Sequence, residues 1–284
     1  MCNSPNLLTS GSQARSHLLL NNALITRAIY GLLLISLLSG CWKPSLPDIP
    51  FVPKELGDTR KVLEDLGLGD IMDQVDLSGL SLPEIGTPPG AINFNGPTAE
   101  TIEVGNTIPG TDIMLLAITS DGAEFQIAGL RSLRKTGDSL DFDGTWPQLP
   151  DVSYSMRLRI FYVGTTNVRA AGIHRLIIPD IVPRVAPVNM QLGGYQLKFS
   201  FVDNVNLNEA IAGTTLSYAG QSDRGGIING LPEGTYNFFK VGDSLRWIGL
   251  IRNNIAADYN IRMIFYSDSN AQMGGTVTVA LPSK

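Results

Sequence analysis

The C-terminal part of this chain contains the same sequence pattern twice. Residues Lys135–Gly144 recur, with substitutions, as Lys240–Gly249. Matching pairs flank the two segments in the same order: Gly110-Thr111 with Gly213-Thr214, Ser120-Asp121 with Ser222-Asp223, Gly129-Leu130 with Gly230-Leu231, and Ile178-Pro179 with Leu281-Pro282. A repeat of about 100 residues is too long for a solenoid unit and has the size of a whole domain. The sequence therefore predicts two tandem copies of one domain, in residues 91–183 and 184–284.

Each copy consists of short segments in which apolar and polar residues alternate. Ser155–Ile160 and Asn260–Phe265 are clear examples, and such alternation is typical of strands with one buried face. Turn signals separate these segments: Ser120-Asp121-Gly122, Gly193-Gly194 and Pro232-Glu233-Gly234. The pattern predicts an all-β fold of two antiparallel β-sandwiches that resemble immunoglobulin or fibronectin type III modules. The resemblance is architectural and implies little about function.

The N-terminus has the layout of an export signal. Arg27 precedes the apolar run Ala28–Leu38, which is too short to span a bilayer as a helix. The segment Leu38–Cys41 then resembles the lipobox of bacterial lipoproteins. That resemblance implies cleavage between Gly40 and Cys41, loss of residues 1–40 and attachment of diacylglycerol to the Cys41 sulfur. The alternative is an ordinary signal peptide, or a membrane anchor, with a coincidental cysteine.

The residue after Cys41 indicates where the protein is sorted. It is Trp42, whereas an Asp at this position is the usual signal for retention in the inner membrane of bacterial lipoproteins. In a cell with two membranes, an outer-membrane location is therefore expected, with the protein facing either the periplasm or the cell surface.

Charge and cysteine content restrict the partners and the chemistry. The chain has 21 basic and 26 acidic residues, and removal of residues 1–40 takes away only Arg15 and Arg27 among the charged residues. An acidic exported part argues against nucleic acid as a partner. Cys2 and Cys41 are the two cysteines of the chain, so the mature protein has no pair for an internal disulfide.

Residues 41–90 are predicted to be a Pro- and Gly-rich tether. Pro44, Pro47, Pro50 and Pro53 recur at every third position, which is the period of a polyproline II helix. Such a spacer would hold the folded part away from the membrane. One short helix is expected over 58–67, and a second near 70–75.

The repeated motif also permits a catalytic hypothesis. Gly137–Leu140 and Gly242–Leu245 resemble the name-giving motif of the GDSL esterases, whose serine is an acyl-forming nucleophile. Such a serine needs a histidine base, which that family supplies in an Asp-x-x-His pair. The mature chain has only His174, and Ala171 stands three residues before it. We therefore predict that the chain is not an enzyme and that the motif is a turn entering a strand.

Three further features suggest binding, each with a structural alternative. The run Asp203–Glu209 offers oxygen ligands for calcium, but a polar loop between strands is favoured. His174 is predicted to lie on the solvent side of a strand, and no metal or cofactor is expected. Trp146, in a predicted loop, is a possible contact for a glycan ligand. Core packing is the favoured alternative for the aromatic residues, which also include Tyr154, Tyr195, Tyr218 and Tyr259.

These observations favour a non-catalytic, lipid-anchored envelope protein. Its two β domains are expected to bind another envelope protein or to act as a structural spacer. A carbohydrate-binding or adhesion lipoprotein is the alternative, and a GDSL-type esterase is the least favoured.

Overall fold

The computed structural model of the chain describes residues 81–82, 86–187 and 190–283. The regular secondary structure in these residues consists entirely of β-strands in antiparallel sheets. The predicted all-β class is therefore confirmed. The predicted export signal, Cys41, the proline repeat and the predicted short helices lie outside the described residues.

The first copy forms two sheets. Its strands are β1 (Ile92–Glu103), β2 (Met114–Thr119), β3 (Gly122–Ile127), β4 (Leu130–Arg134), β5 (Ser139–Trp146), β6 (Leu149–Val163) and β7 (Asn167–Ile178). A large sheet has the order β1-β7-β6-β5, and a small sheet has the order β2-β3-β4. All neighbouring strands are antiparallel.

The second copy repeats this topology and extends it. Its strands are β8 (Arg184–Val185), β9 (Tyr195–Asn206), β10 (Ser217–Ser222), β11 (Gly225–Asn229), β12 (Phe238–Phe239), β13 (Ser244–Arg252), β14 (Ile255–Tyr266) and β15 (Asn270–Leu281). The large sheet has the order β8-β13-β14-β15-β9, and the small sheet has the order β10-β11-β12. Strand β8 is the addition, and it pairs with β13. Each sheet is built from strands of one copy.

One face of each large sheet is apolar because side chains alternate along the strands. In β6, Tyr154, Met156, Leu158 and Ile160 are fully buried. The small sheet covers part of this face in the second copy, since a Cβ at Gly226 of β11 would lie 3.2 Å from the Met263 methyl group. The two sheets of the second copy are therefore layered, as in a β-sandwich.

The two copies are joined by a continuous core. The Phe94 and Phe199 rings stack across the junction with their centroids 5.6 Å apart. One hydrophobic cluster contains the buried residues of both copies. At the rim, the Arg252 guanidinium of the second copy lies 2.6 Å from the Asp151 carboxylate of the first and lowers the pKa of that carboxyl. Residues 91–283 thus contain two copies of one topology that do not have separate cores.

Local structure is repeated between the copies down to single hydrogen bonds. Thr111 and Thr214 occupy equivalent positions in the loops that follow β1 and β9. Each hydroxyl donates to the carbonyl three residues earlier, at 2.7 and 3.0 Å respectively. Each also accepts the N–H two residues later, at 3.1 Å in both copies. The loops after β1 and β9 therefore have the same local structure.

Candidate functional site

The repeated Gly-Asp-Ser-Leu segment forms the turns that lead into β5 and β13. Asp138 Oδ2 accepts the backbone N–H three residues earlier at 2.8 Å, and Asp243 Oδ2 does the same at 2.7 Å. Gly137 and Gly242 have φ values of 95° and 92°, a region that glycine adopts at little cost. The segment therefore has a structural reason to occur twice.

The geometry of the first copy does not pair the motif serine with the histidine. Ser139 precedes Leu140, which is buried on the inner face of the large sheet. His174 is opposite Met156 in the ladder, and both side chains are buried on that inner face. Because successive side chains alternate, Ser139 points to the outer face. The two side chains are on opposite faces of the sheet, so they cannot form a nucleophile and base pair.

His174 lies in the core, and the prediction that it faces solvent is wrong. It is 1% exposed, and its ring stacks on Phe199 with centroids 4.3 Å apart. Burial lowers the pKa of the imidazole to about 4, with a backbone contact at Lys198 opposing this effect. The ring is therefore neutral at pH 7. The sequence does not indicate which face of β7 is buried, because Ile173 and Ile177 make the face opposite His174 apolar as well.

Trp146 is also placed differently from the expectation. It is the last residue of β5, not a loop residue, and it is 2% exposed. Its indole N–H donates to the Pro282 carbonyl of the other copy at 3.0 Å. Its ring packs edge-on against Tyr154 at 5.6 Å. A Cβ at Gly110 would lie 2.3 Å from the indole, so glycine is needed where the loop covers the ring. The ring joins the two copies and, although it borders a small cleft, is 2% exposed and offers almost no surface to a glycan.

The tyrosines follow the core-packing interpretation. Tyr154, Tyr218 and Tyr259 are fully buried. Tyr195 is half-buried, and its ring centroid lies 6.0 Å from that of Trp146. These residues therefore stabilise the fold and do not form an exposed aromatic surface.

The run Asp203–Glu209 spans the end of β9 and the loop after it. Asp203 Oδ2 accepts the N–H of Ala212 at 2.8 Å. Glu209 Oε2 accepts from the backbone and the side chain of Asn206, at 3.1 and 2.8 Å. In the part of the chain that the structure describes, no three His, Cys, Asp or Glu residues are grouped to hold a metal ion. Both carboxylates thus have local structural roles.

The candidate site lies where β1 and β9 cross, since both are edge strands of their large sheets. A Cβ at Gly96 would lie 3.2 Å from Ser200 Oγ and 3.4 Å from the Ser200 nitrogen. A side chain at position 96 would therefore fit tightly, and Ser200 would have to move by a few tenths of an ångström, so the two strands approach closely at Gly96. A cleft lies on each side of this crossing.

The first cleft has a volume of about 440 Å³ and a partly polar lining. We name it the Asp203 cleft; it is lined by residues 91–95, 200–203 and 212. Asn93 Nδ2 donates to Thr87 Oγ1 at 3.2 Å, whereas Asn93 Oδ1 is buried with no hydrogen-bond partner among the described residues. Because this oxygen has no surface open to solvent, it is a buried unsatisfied acceptor that a molecule in the cleft does not reach.

On the other side of the crossing, a smaller cleft of about 210 Å³ is lined by Trp146, Tyr195 and Pro109 among others. In the first copy, Glu100 takes the position that Asp203 has in the second, because their ladder partners are equivalent. Burial raises the pKa of Glu100 to about 7. The residue equivalent to Ala212 is Pro109, which has no N–H to donate. Glu100 therefore lacks the backbone donor that holds Asp203.

Comparisons with known proteins add no name to this geometry. No protein-family model, no curated protein and no solved structure matches the chain. Among the described residues, no helix is long and apolar enough to cross a membrane.

The roles of the motif residues can be separated by mutation. Asp138→Ala and Asp243→Ala should each lower the free energy of unfolding by about 1 kcal/mol, because each removes a charge-assisted hydrogen bond. Ser139→Ala should change it by less than about 0.5 kcal/mol. Urea unfolding measures both effects. An ester hydrolysis activity of the wild type that disappears in Ser139→Ala would contradict the structural role.

Glu100 should make stability depend on pH. Its folded pKa of about 7 lies above the unfolded value of 4.5, so the unfolded state loses its proton first as the pH rises. The free energy of unfolding should fall between about pH 4.5 and 7, by about 1 to 3 kcal/mol, and then level off. Glu100→Gln should remove most of this slope in urea unfolding at pH 5 and 8. Glu103→Gln, at the exposed end of β1, is the matched control and should keep it.

Proposed function

We propose that this chain is a lipid-anchored cell-envelope protein whose exported part is a non-catalytic binding or spacer module. The observation that carries the proposal is the segment Leu38–Cys41, which follows a short apolar run and a basic residue. Cys41 would carry the lipid, and the proline repeat after it would separate the folded part from the membrane.

The packing of the described residues supports a spacer or binding role. Two copies that share one core form a stiffer unit than two domains on a flexible linker. The bond from Trp146 to Pro282 and the ion pair between Arg252 and Asp151 add polar links between the copies. A stiff unit holds its binding surfaces at a fixed separation.

Exposed apolar side chains on equivalent edges favour contacts with another protein. In the first copy, Leu130 and Leu133 are 74% and 49% exposed on β4, the edge strand of the small sheet. In the second copy, Tyr236 is 61% exposed just before β12, the equivalent edge, with its ring 5.5 Å from that of Phe238. Exposed apolar residues on an open sheet edge are typical of interaction sites. We name these two sites the small-sheet edges.

If Cys41 carries the lipid, replacing Cys41 should change the membrane association of the protein. Cys41→Ala should abolish incorporation of labelled palmitate and move the protein from the detergent-extracted membrane fraction to another fraction. Cys2→Ala is the matched control, because Cys2 is the other cysteine of the chain and lies in the removed segment. Equal labelling of wild type and Cys41→Ala would refute the anchor.

Contact through the small-sheet edges can be tested in intact cells. A photo-crosslinking amino acid at position 130 or 236 should form adducts with an envelope protein. At position 262, on the polar outer face of β14, it should form few or none. Adding Leu133→Asp should reduce the adduct at position 130 by about fivefold or more, because a charge would be desolvated in an apolar contact. Equal adduct formation at all three positions would exclude a specific role for these edges.

A further inference from the structure

The Asp203 cleft exists because the two copies are packed together. Residues 91–95 come from the start of β1 and the turn before it, and residues 200–203 come from β9. Sites for small ligands occur preferentially at such junctions, and their volumes are about 300 to 1,000 Å³. The volume of about 440 Å³ is in this range.

The polar side chains of the cleft provide hydrogen-bond acceptors. The Asp203 carboxylate is held in place through Oδ2 by the Ala212 N–H at 2.8 Å. Asn95 and Ser200 add an amide and a hydroxyl to the lining. A bound molecule must therefore carry several donors of its own.

The charge of the lining excludes two classes of ligand. Among the residues that the structure describes, no lysine or arginine lines the cleft, so an anion would face Asp203 without a compensating charge. Asp203 is also the only carboxylate in the lining, whereas calcium needs six or more oxygen ligands and usually several carboxylates. A neutral molecule with many hydroxyl groups fits the lining better than either ion.

We propose that the Asp203 cleft binds one sugar unit of a glycan. Hydroxyl groups would donate to the Asp203 carboxylate, while Asn95 and Ser200 can both donate and accept. Val202, which is exposed, supplies apolar surface for the C–H face of a sugar ring. This site is separate from Trp146, and it does not depend on lipidation or on the small-sheet edges.

The other copy shows that this lining is specific to one side of the junction. Positions 200, 201 and 203 are Ser, Phe and Asp in β9, whereas the equivalent positions of β1 are Pro97, Thr98 and Glu100. The duplicated strands thus keep their pairing but differ in the residues beside the crossing. Glu100 therefore supplies a matched control that is not part of the Asp203 cleft.

The test is direct titration of the full mature protein in detergent. The probes are the trisaccharides of N-acetylglucosamine, glucose and mannose, measured by calorimetry and saturation-transfer NMR. At least one should bind with a dissociation constant of about 1 mM or tighter. Asp203→Asn should weaken that binding about tenfold or more, since it removes a charged acceptor. Glu100→Gln should leave the affinity unchanged within about twofold.

A second variant separates loss of binding from loss of folding. Ala91→Trp places a large side chain at the mouth of the cleft and should abolish sugar binding while the urea unfolding midpoint stays near that of the wild type. The inference is overturned if none of the three sugars binds, or if binding survives both Asp203→Asn and Ala91→Trp. It is also overturned if calcium chloride binds at the same residues and competes with the sugar. Cys41→Ala should bind sugar as the wild type does. A failed lipidation test would therefore not count against sugar binding.

Discussion

The contact of Phe199 with Phe94 and His174 determines how the rest of this molecule is arranged. Phe199 lies on β9, and its ring stacks on one ring from β1 and one from β7 of the other copy. This contact joins the inner faces of the two large sheets, buries His174 in its neutral form and brings two edge strands together at Gly96. Without it, each copy would expose half of an apolar face to water. Both clefts at the junction follow from the same packing.

Duplication has preserved local structure and changed the junction. The turns that contain Asp138 and Asp243 form the same hydrogen bonds because each turn depends only on its own few residues. Residues beside the β1 and β9 crossing contact the other copy, so their structure does not depend on their own segment alone. The pair Pro109 and Ala212 shows the result: the N–H that holds Asp203 has no counterpart for Glu100. One copy has an anchored carboxylate, and the other has an acid with a raised pKa.

Two sequence interpretations failed for the same physical reason. His174 and Trp146 were assigned to solvent and to a loop because the sequence shows only the neighbours along the chain. Strand β7 has apolar residues on both of its faces. One face packs on the core of its own copy, and some residues of the other face are half-buried. Trp146 ends strand β5 and precedes Pro147, a sequence context that is typical of a loop, yet its partner Pro282 lies in the other copy. A contact between residues far apart in the chain leaves no trace in either local pattern.

The sequence by itself determined the all-β class, the duplication and the role of the Gly-Asp-Ser-Leu turns, because strand alternation, turn residues and internal repeats are local properties. The run Asp203–Glu209 also stands out in the sequence, as a polar loop with oxygen ligands that calcium could use. Only the tertiary structure decided that the copies share one core, that β8 extends one sheet, and that Asn93 and Asp203 line one cleft. These outcomes depend on which apolar faces meet. That choice is set by the complementarity of two complete sheets, and no single segment encodes it.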